Sequence, residues 1–269
     1  LTSDAMGKIA VAAASDGSRF AWVAYAVKQA EIRIRETESG REESIPLSNK
    51  TLAVTPRLNR DGSQLMYSDM ADGKYVAYVH HTGTANTQVV CEDCDVLDFF
   101  SKTSGFLVQS DDRLARLEVA GGPQHPILDA TGHGRLFGAV LTPSDRWVAF
   151  TLARPNGAAG LFVADASQPG SADKWTRVAE DRNYIGAPSW SSDGRILYYA
   201  STRDSFLCIW AQRFTADGRP EGEPFAAFHN HTPPNMVIFG VSLTSASRDR
   251  LYMLLSDFKG DLWSLKLLR

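Results

Sequence analysis

The chain has no long hydrophobic run. Nothing in its 269 residues approaches the roughly 18 uninterrupted apolar positions that a membrane-crossing helix needs. It has three cysteines, Cys91, Cys94 and Cys208, too few for a disulfide framework. It has no basic run. With 28 Lys and Arg against 31 Asp and Glu the formal net charge is −3. A surface that tracks phosphates needs clustered cations, so nucleic acid is not expected as a partner. Sustained helical periodicity is also missing. The one helix-like patch, Tyr25 to Ala30, is too short to stand alone and reads as an elaborated loop between two strands of the first repeat. No Gly-x-Ser-x-Gly elbow, no Gly-rich loop with a following strand Lys and no His-Arg-Asp loop occurs, so neither a hydrolase nor a kinase signature is present. The sequence opens on Leu1 without a signal-peptide pattern, as expected of a processed product or a piece of a longer protein.

What the sequence does have is a repeat. Its clearest copy is Pro188-Ser189-Trp190-Ser191-Ser192-Asp193-Gly194-Arg195-Ile196-Leu197-Tyr198-Tyr199, two apolar runs around an Asp-Gly turn. Glycine takes the positive φ that a tight hairpin requires, so this pattern predicts a β-hairpin. Related turns fall at Asp16, Asp61, Gly105, Asp145 and Asp249, the copy at Asp145 having lost the glycine. Successive turns are 45, 44, 40, 48 and 56 residues apart, close to the period of propeller blades. Each copy carries a second strand-like run, such as Glu31 to Arg35, Leu114 to Val119 and Asp261 to Leu265. Several alternate with period two, and a fourth strand follows in most copies.

The expectation is therefore an all-β fold, a six-bladed β-propeller with four-stranded antiparallel blades, forming one domain over 1–269. Blades are expected at about 1–50, 51–91, 92–128, 129–180, 181–228 and 229–269. Residues 1–13, with the run Ile9 to Ala12, offer material for a strand that completes the other terminal blade. The 13 Phe, 8 Tyr and 6 Trp fall mostly in the strand runs and read as inter-blade packing.

Trp190-Ser191-Ser192-Asp193-Gly194 resembles the TolB-type, WD-like propeller motif, with Ser192 where that motif has proline. Three further stretches are similar to the C-terminal propellers of bacterial membrane-bound serine/threonine kinases and of some winged-helix regulators. They are Val90 to Cys94, Ser201 to Phe214 running into Pro220 and Glu223-Pro224-Phe225, and the tail Ser247 to Leu251 with Gly260 to Trp263. That resemblance implies a periplasmic or otherwise extracytoplasmic sensory domain, tethered through one transmembrane helix to an output domain outside this chain.

Candidate chemistry is sparse. His229 and His231 share one face if the segment is a strand, and are the candidates for metal ligands. No third ligand is nominated, so no metal and no cofactor is expected. Cys91 and Cys94 have redox or zinc spacing without a second pair, leaving a local disulfide or two ordinary thiols. His80, His81 and His133 are isolated. Asp69, Asp72, Asp111 and Asp112 read as turn residues, and Arg203-Asp204 as a local turn or ion pair. No residue is assigned as catalytic. The reading is a non-catalytic sensory or interaction propeller whose partner is a protein, peptide or small molecule met at one disc face or the channel mouth. The alternative is a propeller hydrolase or lyase with a metal or His/Asp site at the channel. A periplasmic scaffold of the TolB kind is a third possibility, weakened by the lack of that protein's amino-terminal α/β domain.

Overall fold

The computed structural model describes residues 6–26, 29–48, 55–71, 73–155, 157–168, 170–182, 184–229, 231, 235–237 and 244–257. Antiparallel strands fill them. The first blade is β1 (Gly7–Ala13), β2 (Arg19–Ala26), β3 (Gln29–Glu36) and β4 (Glu42–Pro46). The second is β5 (Arg57–Leu58), β6 (Gln64–Ala71), β7 (Lys74–His81) and β8 (Thr87–Glu92). The third is β9 (Asp95–Phe99), β10 (Phe106–Ser110), β11 (Arg113–Leu117) and β12 (Gln124–Asp129). The fourth is β13 (Arg135–Leu141), β14 (Trp147–Ala153), β15 (Ala159–Asp165) and β16 (Thr176–Asp181). The fifth is β17 (Ile185–Trp190), β18 (Ile196–Ser201), β19 (Cys208–Phe214) and β20 (Pro220–Phe228). In every blade the strands pair in chain order.

The expectation of six four-stranded blades is corrected to five. The last stretch forms two separate two-stranded pairings of three-residue strands, β22 (Thr244–Ala246) with β23 (Leu251–Met253), and β21 (Asn235–Val237) with β24 (Leu255–Asp257). The turn at Asp249 is a real hairpin, in which the Ser247 amide donates to the Arg250 carbonyl at 2.8 Å. Turn spacing counts hairpins, however, and a hairpin becomes a blade only when two further strands join its sheet. Asp261 to Leu265, expected to supply one of these, lies outside the described residues. The β22–β23 ribbon sits between the fifth and first blades. The Ala13 amide donates to Ser245 Oγ at 2.9 Å, and the Ala246 amide donates to Ser189 Oγ at 3.0 Å.

Two further expectations change. Residues 7–13 do not complete a distant blade. They form β1, the first strand of their own sheet. Tyr25 to Ala30 is no elaborated loop, because β2 runs to Ala26, β3 starts at Gln29, and Ala26 pairs with Gln29. Alanine-rich composition imitates a helix there, and cross-strand packing overrides it.

The core lies between sheets, not within them. Along β14 five consecutive residues, Val148 to Leu152, are buried, because both faces of the strand are covered. Five apolar clusters fill the gaps between successive sheets. One joins Ile32 and Ile34 of the first blade to Leu58 and Leu65 of the second. Another joins Leu161 of the fourth blade to Ile185, Leu197 and Tyr199 of the fifth. At the closure, Phe20 stacks on Tyr252 of the ribbon with ring centroids 5.2 Å apart. Most other ring pairs, such as Phe150 with Phe162 and Trp190 with Phe214, lie within one blade, so the expected inter-blade aromatic packing holds at the closure and is replaced elsewhere by rings set against the neighbouring blade's aliphatic side chains.

The repeat's turn has a clear physical basis. Gly194 has φ +71°, and its amide donates to Ser191 O at 2.8 Å. In the degraded copy Asp145 takes the same backbone region, φ +63°, one of the few non-glycine side chains that tolerate it. A Cβ on Gly194 would lie 3.3 Å from Pro143 Cδ of the fourth blade, whereas one on Gly40, at φ +70°, would meet nothing within 4 Å. Gly194→Ala and Gly40→Ala should each lose about 1–2 kcal/mol from the backbone alone. Urea unfolding should show the larger loss for Gly194→Ala, and equal losses would mean that the turn does not bear on its neighbour.

Candidate functional site

Innermost strands β1, β5, β9, β13 and β17, together with β22, surround a central channel. It is narrow, about 70 Å³, with small walls at Ala12, Ala13, Ser189 and Ala246. A drug-sized ligand needs roughly 300 Å³ or more, so this channel admits little beyond water. Three charged groups line it, Arg57, Arg60 and Asp98. Asp98 ties the third blade to the fourth, since its Oδ2 accepts from the Leu141 amide at 2.7 Å. Its Oδ1 accepts from the Phe99 amide at 2.8 Å. Burial pushes the Asp98 carboxyl up to about 6, and the Arg57 charge and the two amides offset only part of that. Arg57 anchors the second blade to the third, donating from Nε to the Leu97 carbonyl at 3.1 Å.

Wider cavities open on the two disc faces. On the face that carries the Asp-Gly turns, a cavity of about 620 Å³ lies over the second and third blades, beside His81, Phe100 and Val119. On the opposite face a cavity of about 740 Å³ is bounded by Tyr75, Asp93, Asp95, Asp111 and Asp112. Arg57 and Arg135 supply its positive charge. Cys91 and Cys94, left open between a disulfide and two thiols, are joined in a disulfide with Cα atoms 6.1 Å apart. The bridge sits beside this cavity, and the Asp93 amide donates to the Tyr75 carbonyl at 2.8 Å across its lip.

The sequence candidates separate accordingly. Asp69 is buried and accepts from the Ser48 and Met70 amides. Asp112 accepts from the Leu136 amide at 2.9 Å, and Asp111 holds φ +53° at the β10–β11 turn. Asp111 and Asp112 thus lie at the β10–β11 turn as expected, whereas Asp69 is corrected to a buried position within β6, paired with Val76, and Asp72 lies outside the described residues. His80 is buried with Nδ1 2.8 Å from Thr87 Oγ1, and burial lowers its pKa. His133 lies edge-on to Trp175.

His229 and His231 do acquire partners, contrary to expectation. Their Nε2 atoms lie 2.6 and 3.0 Å from the same oxygen, Asp204 Oδ2. With Cys208 they form a group whose potential ligand atoms all fall within 4.8 Å of one another. Asp204 follows β18, Cys208 opens β19, and the imidazoles follow β20, so strand pairing gathers residues far apart in sequence. The place is the rim of the fifth blade, away from the channel. Among the described residues no comparable group forms at the channel itself. Arg203 and Asp204, read as a local turn or ion pair, do lie in a turn closed by the Ser205 amide donating to the Thr202 carbonyl at 2.8 Å, with the Arg203 guanidinium 4.5 Å over the Trp210 ring. Asp98 and Arg57 were missed altogether. The available signal was a lone carboxylate inside the apolar run Val96-Leu97-Asp98-Phe99-Phe100.

No protein-family model matches the sequence, and no curated protein matches it. Solved structures share its fold. TolB from Acinetobacter baumannii superposes with a TM-score of 0.65 at 15% identity, covering 83% of this chain and 57% of that one. The chain thus spans little more than half of that relative. A candidate TolB from Agrobacterium tumefaciens gives 0.64 at 15% identity, covering 84% and 82%. A prolyl endopeptidase gives 0.53 at 12% identity, covering 84% of this chain but 37% of the other. The fold is that of TolB-like β-propellers.

Two outcomes follow for the sites above. Asp98 binds its proton more tightly folded than unfolded, so stability should fall as pH rises from about 4 to 6 and level off above. Asp98→Asn should lack that component, which melting curves of both proteins across the window would reveal. Opening a four-residue disulfide loop removes about 2 kcal/mol. A reductant should therefore lower the melting temperature of the native chain and leave that of Cys91→Ser/Cys94→Ser unchanged.

Proposed function

We propose that residues 1–269 form one non-catalytic interaction propeller that recognises a protein or peptide segment at a disc face. The observation that carries this reading is the contrast between a channel of about 70 Å³ and a face cavity of about 740 Å³. That cavity joins an exposed aromatic, Tyr75, with carboxylates and guanidinium groups on a framework of rigid strands. Mixed aromatic and charged surface of this kind suits polypeptide side chains. Its four aspartates against two arginines favour a partner segment of net positive charge.

The propeller enzyme with a channel site is the weaker reading. The space there is too small for substrate, and the similarity to a prolyl endopeptidase spans 37% of that protein. An extracytoplasmic location is supported by the Cys91–Cys94 disulfide, since such bonds persist in oxidising compartments. Among the described residues no helix is long and apolar enough to cross a membrane. A sensory role in a larger bacterial signalling protein, of the kinase-linked or winged-helix kind, rests on the sequence resemblance at 90–94 and 201–225.

Site-specific photo-crosslinking in cells of the source organism tests the reading. A photoreactive phenylalanine at position 75 should capture a discrete protein partner, and one at the exposed Val119 on the opposite face should not. Adducts at Val119 alone, or turnover of ester, lactone or peptide substrates by the purified chain, would remove it.

A further inference from the structure

The group at the rim of the fifth blade has no part in the interaction reading. We propose that Asp204, Cys208, His229 and His231 form a binding site for one divalent transition-metal ion of the zinc class. The ion would fasten the β18–β19 turn to the end of β20.

The donor set comes first. Two imidazoles, a thiol and a carboxylate are the ligand types that zinc takes in four-coordinate sites. The four atoms lie within 4.8 Å of one another. In a zinc tetrahedron they would stand roughly 3.3–3.8 Å apart, given bonds of about 2.0–2.3 Å. The Asp204 contacts at 2.6 and 3.0 Å are shorter than that edge. The present distances thus differ from that edge by at most about 1 Å. Both imidazoles direct Nε2 at one carboxylate oxygen, so once an ion displaces the protons donated to Asp204 their lone pairs converge on one point.

Burial runs in a useful order. Cys208 is fully buried and forms the floor. The side chains of His229 and His231 are 45% and 37% exposed, which gives an ion a path in from solvent. Ring positions are held by neighbours outside the group. Phe206 stacks on His231 with centroids 4.0 Å apart, and Trp210 lies 5.9 Å from His229. Supports of this kind orient ligands in metal sites. Arg203, the nearest cation in sequence, is drawn over the Trp210 indole, so it does not occupy the carboxylate.

A purely structural hydrogen-bond cluster would bind no metal, and the two cases separate by titration. The full chain is stripped with a chelator without reductant, which keeps Cys91 and Cys94 oxidised, and is then titrated with zinc or cobalt(II) alone. Expected are one equivalent bound, a rise in melting temperature, and a near-ultraviolet thiolate-to-cobalt charge-transfer band. Cys208→Ser should abolish the band. Because Cys208 sits in the core, the surface variant His229→Gln/His231→Gln carries the decisive comparison. It should keep the circular dichroism of the native chain and lose tenfold or more in zinc affinity. Failure of the native chain to take up one equivalent, or equal affinity in the folded double variant, would overturn the site.

Discussion

Everything in this molecule depends on covering both faces of each sheet. A strand such as β14, buried along Val148 to Leu152, cannot be half-solvated. Each blade must find a neighbour on either side, and the chain must return to its start. The five inter-sheet clusters meet that requirement, the last through Tyr252 of the β22–β23 ribbon and Leu254 just beyond it. Closure thus sets Val11, Phe20 and Trp22 of the first blade against Ala200 and Ile209 of the fifth. It is reinforced by hydrogen bonds from the Ala13 and Ala246 amides to serine hydroxyls on either side.

That constraint also explains why the channel is narrow and functional surface is displaced outward. Inner strands must approach closely for the sheets to pack, and small residues such as Ala12, Ala13, Ser189 and Ala246 line the axis. Of the charged groups there, Arg57 and Asp98 hold backbone groups of adjacent blades. A buried carboxylate with two amide donors stabilises this junction best when its surroundings tolerate its charge, and the raised proton affinity of Asp98 shows that desolvation outweighs those donors. Recognition chemistry is then left to the faces, where turns and strand ends are free to carry polar side chains.

The rim of the fifth blade follows a different logic. Asp204, Cys208 and the two histidines are placed by the register of β18 against β19 and β19 against β20. In that register Ile209 faces Phe228, which brings Cys208 beside the end of β20 and the imidazoles over the preceding turn. Their convergence needs no special loop, only the hairpin geometry common to every blade. What is peculiar to this one is the residue types at those positions.

Much of the architecture was legible in the sequence, and the reason is local. Asp-Gly turns depend on the φ preference of one or two residues, and strand runs on a period of two, so both are written in windows of ten residues. Trp190 to Tyr199 predicts its hairpin without reference to anything else. Blade number was not legible, because the hairpin at Asp249 looks the same whether two further strands join it or not. Nor was the company of His229 and His231. Asp204 stands 27 residues from His231, and only the pairing of β19 with β20 puts them 3.0 Å apart. Local dihedral and burial preferences are thus determined by the sequence itself, whereas register and ring closure, which decide what meets what, are settled only when distant strands compete for the same apolar faces.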